Sequence, residues 1–233
     1  MDDFFSRSEA LLGVETMAAL STKRVILFGV GGVGSWCAEA LVRTGLRHLT
    51  IVDDDVVQPS NINRQLPATC ETIGRLKVEV LRERLQSINP DAEIVALNKR
   101  YTQHSPINAQ LSSFDIVIDA IDSVADKAEL LLQATKAGCR VFSSMGAALR
   151  FDPTKVRVNE LNRVSGDGLA RALRQRFKKI GQWPSHSIRC VWAEEQPMAQ
   201  SQLSMVKGSL MPVTATFGCT LAALVVQELR EKG

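Results

Sequence analysis

The stretch that decides the fold of this chain is residues 24–34, RVILFGVGGVG. Its first half is a continuous apolar run, which is typical of a strand buried on both faces of a parallel sheet. Its second half matches the glycine fingerprint of nucleotide-binding folds, where glycine permits a tight turn and a close approach of phosphate to the backbone. A helix opening at about Gly32 would aim its free N–H groups at the phosphate. The candidate nucleotide-binding glycines are Gly29, Gly31, Gly32 and Gly34.

Apolar runs and helical patterns alternate along the rest of the chain. Strands are predicted near 24–29, 48–52, 92–97, 114–119 and 139–144, and helices near 32–44, 75–88, 123–137, 167–180 and 212–230. This alternation predicts an α/β fold, with a Rossmann-like, doubly wound, mostly parallel sheet and helices on both of its faces. The pattern changes beyond Met145, where residues 151–161 and 187–195 predict a C-terminal antiparallel extension.

We expect one domain over residues 1–233, with a nucleotide-binding core at 1–145. Residues 146–233 are expected to supply a substrate-binding extension and the C-terminal helix. A long polar segment, 193–209, precedes that helix. Because loops of this length are uncommon unless they are functional or mobile, we interpret it as a crossover or a lid over the substrate site.

Polar and basic residues follow the second apolar run. Asp53 lies 19 positions beyond Gly34, where an acidic residue typically binds ribose hydroxyls, so a nicotinamide-dependent enzyme is equally well supported up to this point. Arg64 and Lys77 are suited to neutralising a triphosphate during attack at its α-phosphorus, and hydride transfer has no need of them. Each cation alone could be a solvated surface charge, but the ordered series favours ATP. That series is Asn61, Asn63, Arg64, Gln65, Arg75 and Lys77.

With these motifs the chain resembles the E1-like adenylating enzymes of the ThiF, MoeB and HesA kind. The resemblance is specific from about Arg7 to Lys136 and weaker beyond. It implies ATP and Mg²⁺ as cofactors, with Asp53 at the ribose and Asp122 at the metal. It also implies a homodimer in which Arg7 reaches into the partner subunit's site. The ATP-binding candidates besides the glycines are Asp53, Asp55, Asn61, Arg64, Gln65, Lys77 and Asp122, and the catalytic candidates are Arg7, Arg64, Lys77 and Asp122.

Within this family the chain is most similar to the tRNA threonylcarbamoyladenosine dehydratase branch. The strings that carry the similarity are FSRSEALLG, GGVGSWCAEALVRTGL, NINRQ, DAIDSVADK and PVTATFG. The resemblance implies ATP-dependent cyclisation of N6-threonylcarbamoyladenosine at position 37 of tRNA, through adenylation of its carboxylate. Carrier-activating members usually have Asp-Asn and an arginine where this chain has Asp122, Ser123 and Lys127. They also commonly carry two Cys-x-x-Cys pairs for zinc, and the sequence has none.

Two other function classes stay open. The first is adenylation of the C-terminal carboxylate of a ubiquitin-like sulfur-carrier protein, which would make a carrier or sulfur-relay protein the partner. The second is an NAD-binding oxidoreductase or a non-catalytic nucleotide-binding module. We rank the dehydratase first, carrier activation second, and the redox or binding module third.

The chain has five cysteines and three histidines. Cys37, Cys139 and Cys219 lie in apolar runs and are predicted to be small core residues. Cys70 and Cys190 are the plausible reactive thiols, although a structural role is the simpler interpretation of each. The histidines show no spacing typical of a hydrolase or of a metal site.

The basic residues are concentrated in residues 150–190, with ten Lys/Arg against three Asp/Glu, although the whole chain carries a net charge of only +3. The candidate tRNA contacts are Arg171, Arg174, Lys178 and Lys179, because a basic stripe beside an ATP site suits RNA backbone binding. The alternative is an ordinary amphipathic helix with Leu169, Leu173, Phe177 and Ile180 on its buried face. The sequence leaves both interpretations open.

The cellular location follows from composition and from the apolar stretches. An N-terminus without an apolar signal core, together with unpaired cysteines, predicts a cytoplasmic protein. The longest apolar stretch, 210–227, is interrupted by Pro212 and Gly218 and is barely long enough to cross a bilayer. We therefore expect a buried helix and no stable membrane insertion, and leave weak membrane association open.

Overall fold

A computed structural model of the chain describes residues 3–198 and 207–231. Its centre is a seven-stranded sheet, whose strands are β1 Arg24–Phe28, β2 His48–Val52, β3 Glu93–Leu97, β4 Ile116–Asp119, β5 Arg140–Ser144, β6 Val156–Glu160 and β7 Arg189–Ala193. The strand order is β3-β2-β1-β4-β5-β7-β6. Every neighbouring pair is parallel except β6 and β7. The mostly parallel sheet and its C-terminal antiparallel extension are therefore confirmed.

Seven α-helices surround the sheet within the described ranges. They are α1 Ser6–Leu12, α2 Val14–Thr22, α3 Gly34–Thr44, α4 Lys77–Ile88, α5 Val124–Lys136, α6 Gly168–Ile180 and α7 Met211–Arg230. Two of the predicted helices begin two residues too early, since α3 begins at Gly34 and α4 at Lys77. The helices α1 and α2 were not predicted, and α1 buries none of its side chains.

The core lies on both faces of the sheet, as the continuous apolar runs predict. Val25 and Leu27 pack on one face, against α3, α4 and α7. Ile26 and Phe28, which alternate with them, pack on the other face against α5 and α6. Because side chains alternate between the two faces of a strand, these four side chains of β1 are completely buried, and only Arg24 is exposed.

The final helix α7 packs directly onto the helix that follows the glycine loop. A Cβ atom at Gly218 would lie 2.4 Å from the carbonyl oxygen of Val33 and 2.8 Å from Cβ of Trp36. Of the helices in the described residues, only α7 is long and apolar enough to cross a membrane. In its most apolar window, 56% is buried inside the protein. A buried core helix passes the same length and composition test.

The polar segment 193–209 is described only at its ends, and the central part of the predicted crossover or lid, residues 199–206, lies outside the described residues. Both ends attach to the loop after β5. The N–H of Met198 donates to the carbonyl oxygen of Leu149 at 2.8 Å, and the N–H of Leu149 donates to the carbonyl oxygen of Gly208 at 2.9 Å.

Candidate active site

A cavity of about 820 Å³ opens at the carboxyl ends of the parallel strands. Its walls are the loops after β1, β2, β4 and β5 and the first turn of α6. The strand order reverses between β1 and β4, and ligands of open α/β sheets bind at such a switch point. The volume is in the range of sites for nucleotide-sized ligands.

The glycine loop fits closely between β1 and the loop after β4. Gly29 has a φ of +86°, and a Cβ atom there would lie 2.8 Å from the carbonyl oxygen of Ala120. A Cβ atom at Gly34 would lie 1.8 Å from the carbonyl oxygen of Gly29, so only glycine fits. Gly31 and Gly32 line the cavity, facing Gln65 and Arg64. The bare backbone of these two glycines forms a cradle that a phosphate can approach.

Asp53 lies at the end of β2 with its carboxylate held toward the glycine loop. Its Oδ2 accepts the N–H of Val30 at 2.8 Å, and its Oδ1 accepts the N–H of Asp55 at 2.9 Å. Burial raises the pKa of the Asp53 carboxyl, although these hydrogen bonds act in the opposite direction. The carboxylates of Asp53, Asp54 and Asp55 come within 4.8 Å of one another, and Asp54 was not singled out from the sequence.

The predicted phosphate-binding cations line the cavity beside the glycines. Arg64 Nη1 donates to the carbonyl oxygen of Ser60 and to Oδ1 of Asn63, both at 2.9 Å, which holds the guanidinium at the rim. Lys77, the first residue of α4, has 5% of its side chain exposed, and its Nζ lies 2.7 Å from Oδ2 of Asp55. The two cations and the glycine cradle therefore share one wall of the cavity.

Gln65 adds an unused hydrogen-bonding group to this wall. The residue is buried and lines the cavity, and its Oε1 has no hydrogen-bond partner among the described residues. Buried polar atoms are rarely left unpaired, so a bound ligand or water is the natural partner. The cradle, the two cations and this amide together fit a nucleoside triphosphate.

Besides Gly34, two candidates for the ATP site do not line the cavity of their own chain. Asn61 is buried, and its Oδ1 accepts the N–H of Gln58 at 3.0 Å, so its side chain caps a short 3₁₀ turn. Arg7 is exposed on α1, away from the cavity wall. The proposed role of Arg7 in a partner subunit's site stays a prediction.

Asp122 is exposed in the loop between β4 and α5, and it lines the cavity opposite the acidic turn. Sequence reasoning missed the buried pair beneath it. Lys127 Nζ lies 2.6 Å from Oδ2 of Asp119 and donates to the carbonyl oxygen of Ile121 at 2.8 Å. The sequence does contain a signal for this pair: an aspartate ends an apolar strand, and a lysine lies on the buried face of the helix that follows.

Residues after β3 also reach the cavity without any motif that marks them. Lys99, Arg100 and Tyr101 line it. Tyr101 packs edge-on against Phe28 with ring centroids 5.0 Å apart. They extend the cavity on the side of the acidic turn.

The burial of the cysteines agrees with the prediction only in part. Cys37 and Cys139 are buried, as predicted, but Cys219 is exposed on the outer side of α7, so its assignment to the core was wrong. Cys190 lies inside β7 and not beside a loop, and burial raises its thiol pKa. A buried thiol of raised pKa is unreactive, so the described structure leaves Cys70 as the exposed candidate of the two.

The basic helix α6 is amphipathic. Leu173 and Phe177 are fully buried, whereas Ile180, predicted to be buried, is 41% exposed because the helix ends there at a left-handed Gly181. Arg174 Nη1 donates to the carbonyl oxygens of Leu161 and Val164, so this cation also holds the preceding loop. The other tRNA candidates, Arg171, Lys178 and Lys179, are exposed.

Comparisons with known proteins agree with this geometry. The chain is 32% identical over 232 residues to the tRNA threonylcarbamoyladenosine dehydratase of Bacillus subtilis, with 95% of this chain and 91% of the relative covered. It is 34% identical to the molybdopterin-synthase adenylyltransferase of Escherichia coli, but that match covers 58% of this chain and 53% of the relative.

The fold matches a solved structure over almost its whole length. The crystal structure of the Escherichia coli tRNA N6-threonylcarbamoyladenosine dehydratase in complex with ATP superposes with a TM-score of 0.89 and 32% identity. This match covers 98% of our chain and 94% of that one. The model of the ThiF family matches residues 5–233. The chain therefore belongs to the ThiF family, as its glycine loop and NINRQ string indicate.

Proposed function

We propose that this protein uses ATP to activate the carboxylate of N6-threonylcarbamoyladenosine at position 37 of tRNA and so closes that side chain into its cyclic form. The observation that carries the proposal is that relatives bearing this activity in their names match the chain end to end, at 30 to 33% identity in three bacteria. The cavity beside the glycine loop supplies the groups that such a reaction needs.

The chemistry follows from the poor leaving ability of hydroxide. One carboxylate oxygen attacks the α-phosphorus of ATP, and pyrophosphate leaves with the electrons of the broken P–O bond. In the resulting acyl-adenylate, AMP is the leaving group. A nitrogen or oxygen of the same side chain then attacks the acyl carbon and expels AMP, with the high effective molarity of an intramolecular reaction. The net change in the nucleoside is the loss of one water.

The nucleotide is held by residues on one wall of the cavity. We assign the ribose to Asp53, the phosphates to the backbone of Gly31 and Gly32, and the neutralisation of their charge to Arg64 and Lys77. The bond between Lys77 Nζ and Asp55 keeps the ammonium group beside the phosphate path. Gln65 Oε1, unpaired among the described residues, is available to a donor on the nucleotide or on a bound water.

The acidic residues fit a divalent cation. Carboxylate oxygens are the protein ligands that Mg²⁺ prefers, and Asp122 and the cluster of Asp53, Asp54 and Asp55 both face the cavity. When bound with ATP, Mg²⁺ would supply neutralisation of the phosphate charge. We assign the metal to Asp122.

We further infer a homodimer. The first helix and the 3₁₀ turn before it expose apolar side chains, with Phe4 and Leu11 both more than half exposed, and no side chain of α1 is buried in its own chain. A second copy that covers this edge would place Arg7 close to an interface. From there its guanidinium is available to the triphosphate in the partner subunit.

The tRNA is assigned to the face of α6. The helix begins at the cavity with Gly168 and carries Arg171, Lys178 and Lys179 outward over its 13 residues. Trp183 follows the helix, 55% exposed and in contact with Phe177. Cations bind RNA phosphates, and an exposed aromatic ring offers a stacking surface for a base. Since the proposed substrate is a tRNA, we place the protein in the cytoplasm.

Carrier activation is the second candidate. Its relatives share the adenylating chemistry, and the named sulfur-carrier adenylyltransferase of Escherichia coli is 33% identical over 132 residues, 55% of this chain. That match is shorter than the matches to the dehydratases, so a carrier or sulfur-relay partner ranks below tRNA.

The decisive experiment incubates the purified protein with ATP, Mg²⁺ and tRNA that carries the threonylcarbamoyl modification. Nucleoside mass spectrometry should show loss of one water, with one AMP released for each nucleoside converted. Reactions without ATP, and with an unmodified transcript, are the controls. Pyrophosphate exchange that depends on a carrier peptide, with no change in the tRNA, would replace the proposal with the second candidate.

A further inference from the structure

Arg150 is a buried cation whose hydrogen bonds are incomplete. It lies six residues after the end of β5, lines the cavity, and has 2% of its side chain exposed. Its Nη2 lies 3.4 Å from Oδ2 of Asp167. Its Nε and Nη1 have no hydrogen-bond partner among the described residues.

This arrangement is unusual for an arginine. The guanidinium keeps its charge at any physiological pH and carries five N–H donors, and buried donors are nearly always paired. The single carboxylate beside it is shared, because Asp167 also accepts the N–H of Gly146 at 3.2 Å and the N–H of Ala170 at 2.9 Å. The pair therefore leaves donors for a further anionic oxygen.

The loop that carries Arg150 is held in a strained conformation. Leu149 has a φ of +60°, the one positive φ of a non-glycine residue among the described residues. Both of its backbone groups are bonded, to Gly208 and to Met198. On the far side, Glu195 Oε2 accepts the N–H of Phe151 at 2.9 Å. Such strain persists where the surroundings impose it, and it clusters at binding sites.

The loop that carries Arg150 starts on the other side of β1 from the acidic turn. The strand β5 is two strands from β1 in the sheet, about 10 Å away, on the side opposite β2 and its acidic turn. The first turn of α6, Gly168 and Leu169, lines the same wall. The N–H groups of a first helical turn have no intrahelical acceptors and favour anions. This wall therefore offers N–H donors, whereas the loop after β2 carries three carboxylates.

We propose that Arg150 and the first turn of α6 form the subsite that binds the carboxylate of the acceptor. The inference rests on the proposed function, because it assigns the second substrate of the same reaction. Charge-assisted hydrogen bonds from a guanidinium to a carboxylate are strong, and the N–H groups of Arg150 Nε and Nη1 are donors that no described residue accepts. The carboxylate enters between Arg150 and the glycine loop, with the α-phosphate on its other side.

The test uses the complete protein, a non-hydrolysable ATP analogue, and an anticodon stem-loop that carries the threonylcarbamoyl group either as the free acid or as its methyl ester. The wild type should bind the acid at least tenfold more tightly than the ester. Arg150→Met should abolish this preference, and Arg150→Lys should restore part of it. All three should bind the ATP analogue equally well. Arg24→Met, on an exposed arginine at the opposite end of β1, is the matched control.

Distinct results overturn the inference. A wild type that binds acid and ester equally well refutes it without any variant, so a misfolded Arg150→Met cannot protect it. An Arg150→Met protein that keeps the acid preference also refutes it. If Arg150→Met alone fails to bind the ATP analogue, Arg150 would instead be assigned to a phosphate group of ATP. If the wild type dehydrates modified tRNA in any of these cases, the proposed function survives; absence of dehydration is the separate result that refutes that function.

Discussion

Lys127 and Asp119 form an ion pair that solvent does not reach, with Nζ 2.6 Å from Oδ2 and neither side chain exposed. The hydroxyl of Ser143 donates to the same Oδ2 at 2.6 Å, and Lys127 also donates to the carbonyl oxygen of Ile121. These bonds fix the turn between β4 and α5. The turn carries Asp122 to the cavity, so a buried pair that does not itself line the cavity positions a candidate metal ligand.

Removing one member of this pair should be costly. Lys127→Met would leave the Asp119 carboxylate buried without its cation, and breaking a buried pair typically costs about 3–5 kcal/mol of unfolding free energy. Urea unfolding followed by circular dichroism measures the loss. The exposed pair of Lys23 and Asp115 is the control, because Lys23→Met should cost about 1 kcal/mol or less.

Removing both members should separate stability from activity. The double variant Lys127→Met with Asp119→Leu should recover part of the lost unfolding free energy, since an apolar pair of similar volume replaces the buried charges. AMP formation should stay low, because the carbonyl oxygen of Ile121 no longer accepts a hydrogen bond from Lys127. The turn is then less fixed, and Asp122 loses its position. A stable double variant with wild-type AMP formation would show that the pair positions nothing.

Gly218 should tolerate no side chain, because α7 contacts the glycine loop there. In Gly218→Ala the added methyl would meet the carbonyl of Val33 at 2.4 Å. Overpacking of this kind costs about 1–3 kcal/mol. The displaced Val33 should also weaken ATP binding severalfold, measured by calorimetry. Gly208→Ala is the control, since a Cβ atom at Gly208 meets nothing within 4 Å.

Features that depend on local pattern could be predicted from the sequence. A buried strand such as β1 needs only a run of apolar residues, and a glycine loop needs glycines at set positions, so both are visible in 24–34. Asp53 is equally visible because its distance from the loop is set by one strand–helix–strand unit. In a parallel sheet the carboxyl ends of these strands meet at one edge, so the sequence also predicts that the glycine loop and Asp53 lie close together.

Features that depend on distant contacts could not be predicted. Arg150 reads as a surface cation in the sequence, and it is buried because α6 brings Asp167 beside it. Asn61 has the residue type of a ligand, but its amide caps a local turn, which the sequence does not distinguish from binding. Cys219 lies in an apolar run, but a helix at the surface has one side that faces solvent, and Cys219 lies on that side of α7.

Lys77→Ala should abolish AMP formation while leaving the protein folded. The ammonium group of Lys77 is the cation that α4 places in the cavity. Without it, the phosphate charge is less neutralised during attack, which should lower the rate about 10²-fold or more. Its partner Asp55 is largely exposed, so the substitution leaves no buried charge without a partner. Arg64→Ala should behave similarly. The measurement is AMP release by chromatography, with thermal melts to confirm folding.

The control for these two variants is Arg75→Ala. Arg75 lies two residues before Lys77, but its guanidinium pairs with Glu83 at the surface, away from the cavity. It should keep full activity. Equal activity in all four proteins would remove Arg64 and Lys77 from the phosphate site.

Glu39 should give the fold a pH-dependent contribution. Burial acts to raise its pKa, but hydrogen bonds from Arg84 and Arg43 outweigh it and hold the pKa below its ordinary value. A lowered carboxyl pKa stabilises the folded state above the unfolded-state pKa, and that stability is lost as the pH falls through the folded-state pKa. Glu39→Gln should therefore cost about 2 kcal/mol at pH 7 and almost nothing in strong acid. Urea unfolding at both pH values measures the difference, and a pH-independent cost would contradict this origin.

Charge removal on α6 should change how tRNA binding depends on salt. Each phosphate contact releases counterions, so losing one should reduce the slope of log K against log salt concentration by about 1. We expect this from Arg171→Gln and from Lys178→Gln, whose side chains are exposed. Arg174→Gln should instead lower thermal stability, because Arg174 supports the carbonyls of Leu161 and Val164. Filter binding at several salt concentrations distinguishes the two effects, and unchanged slopes in Arg171→Gln and Lys178→Gln would place the tRNA on another face.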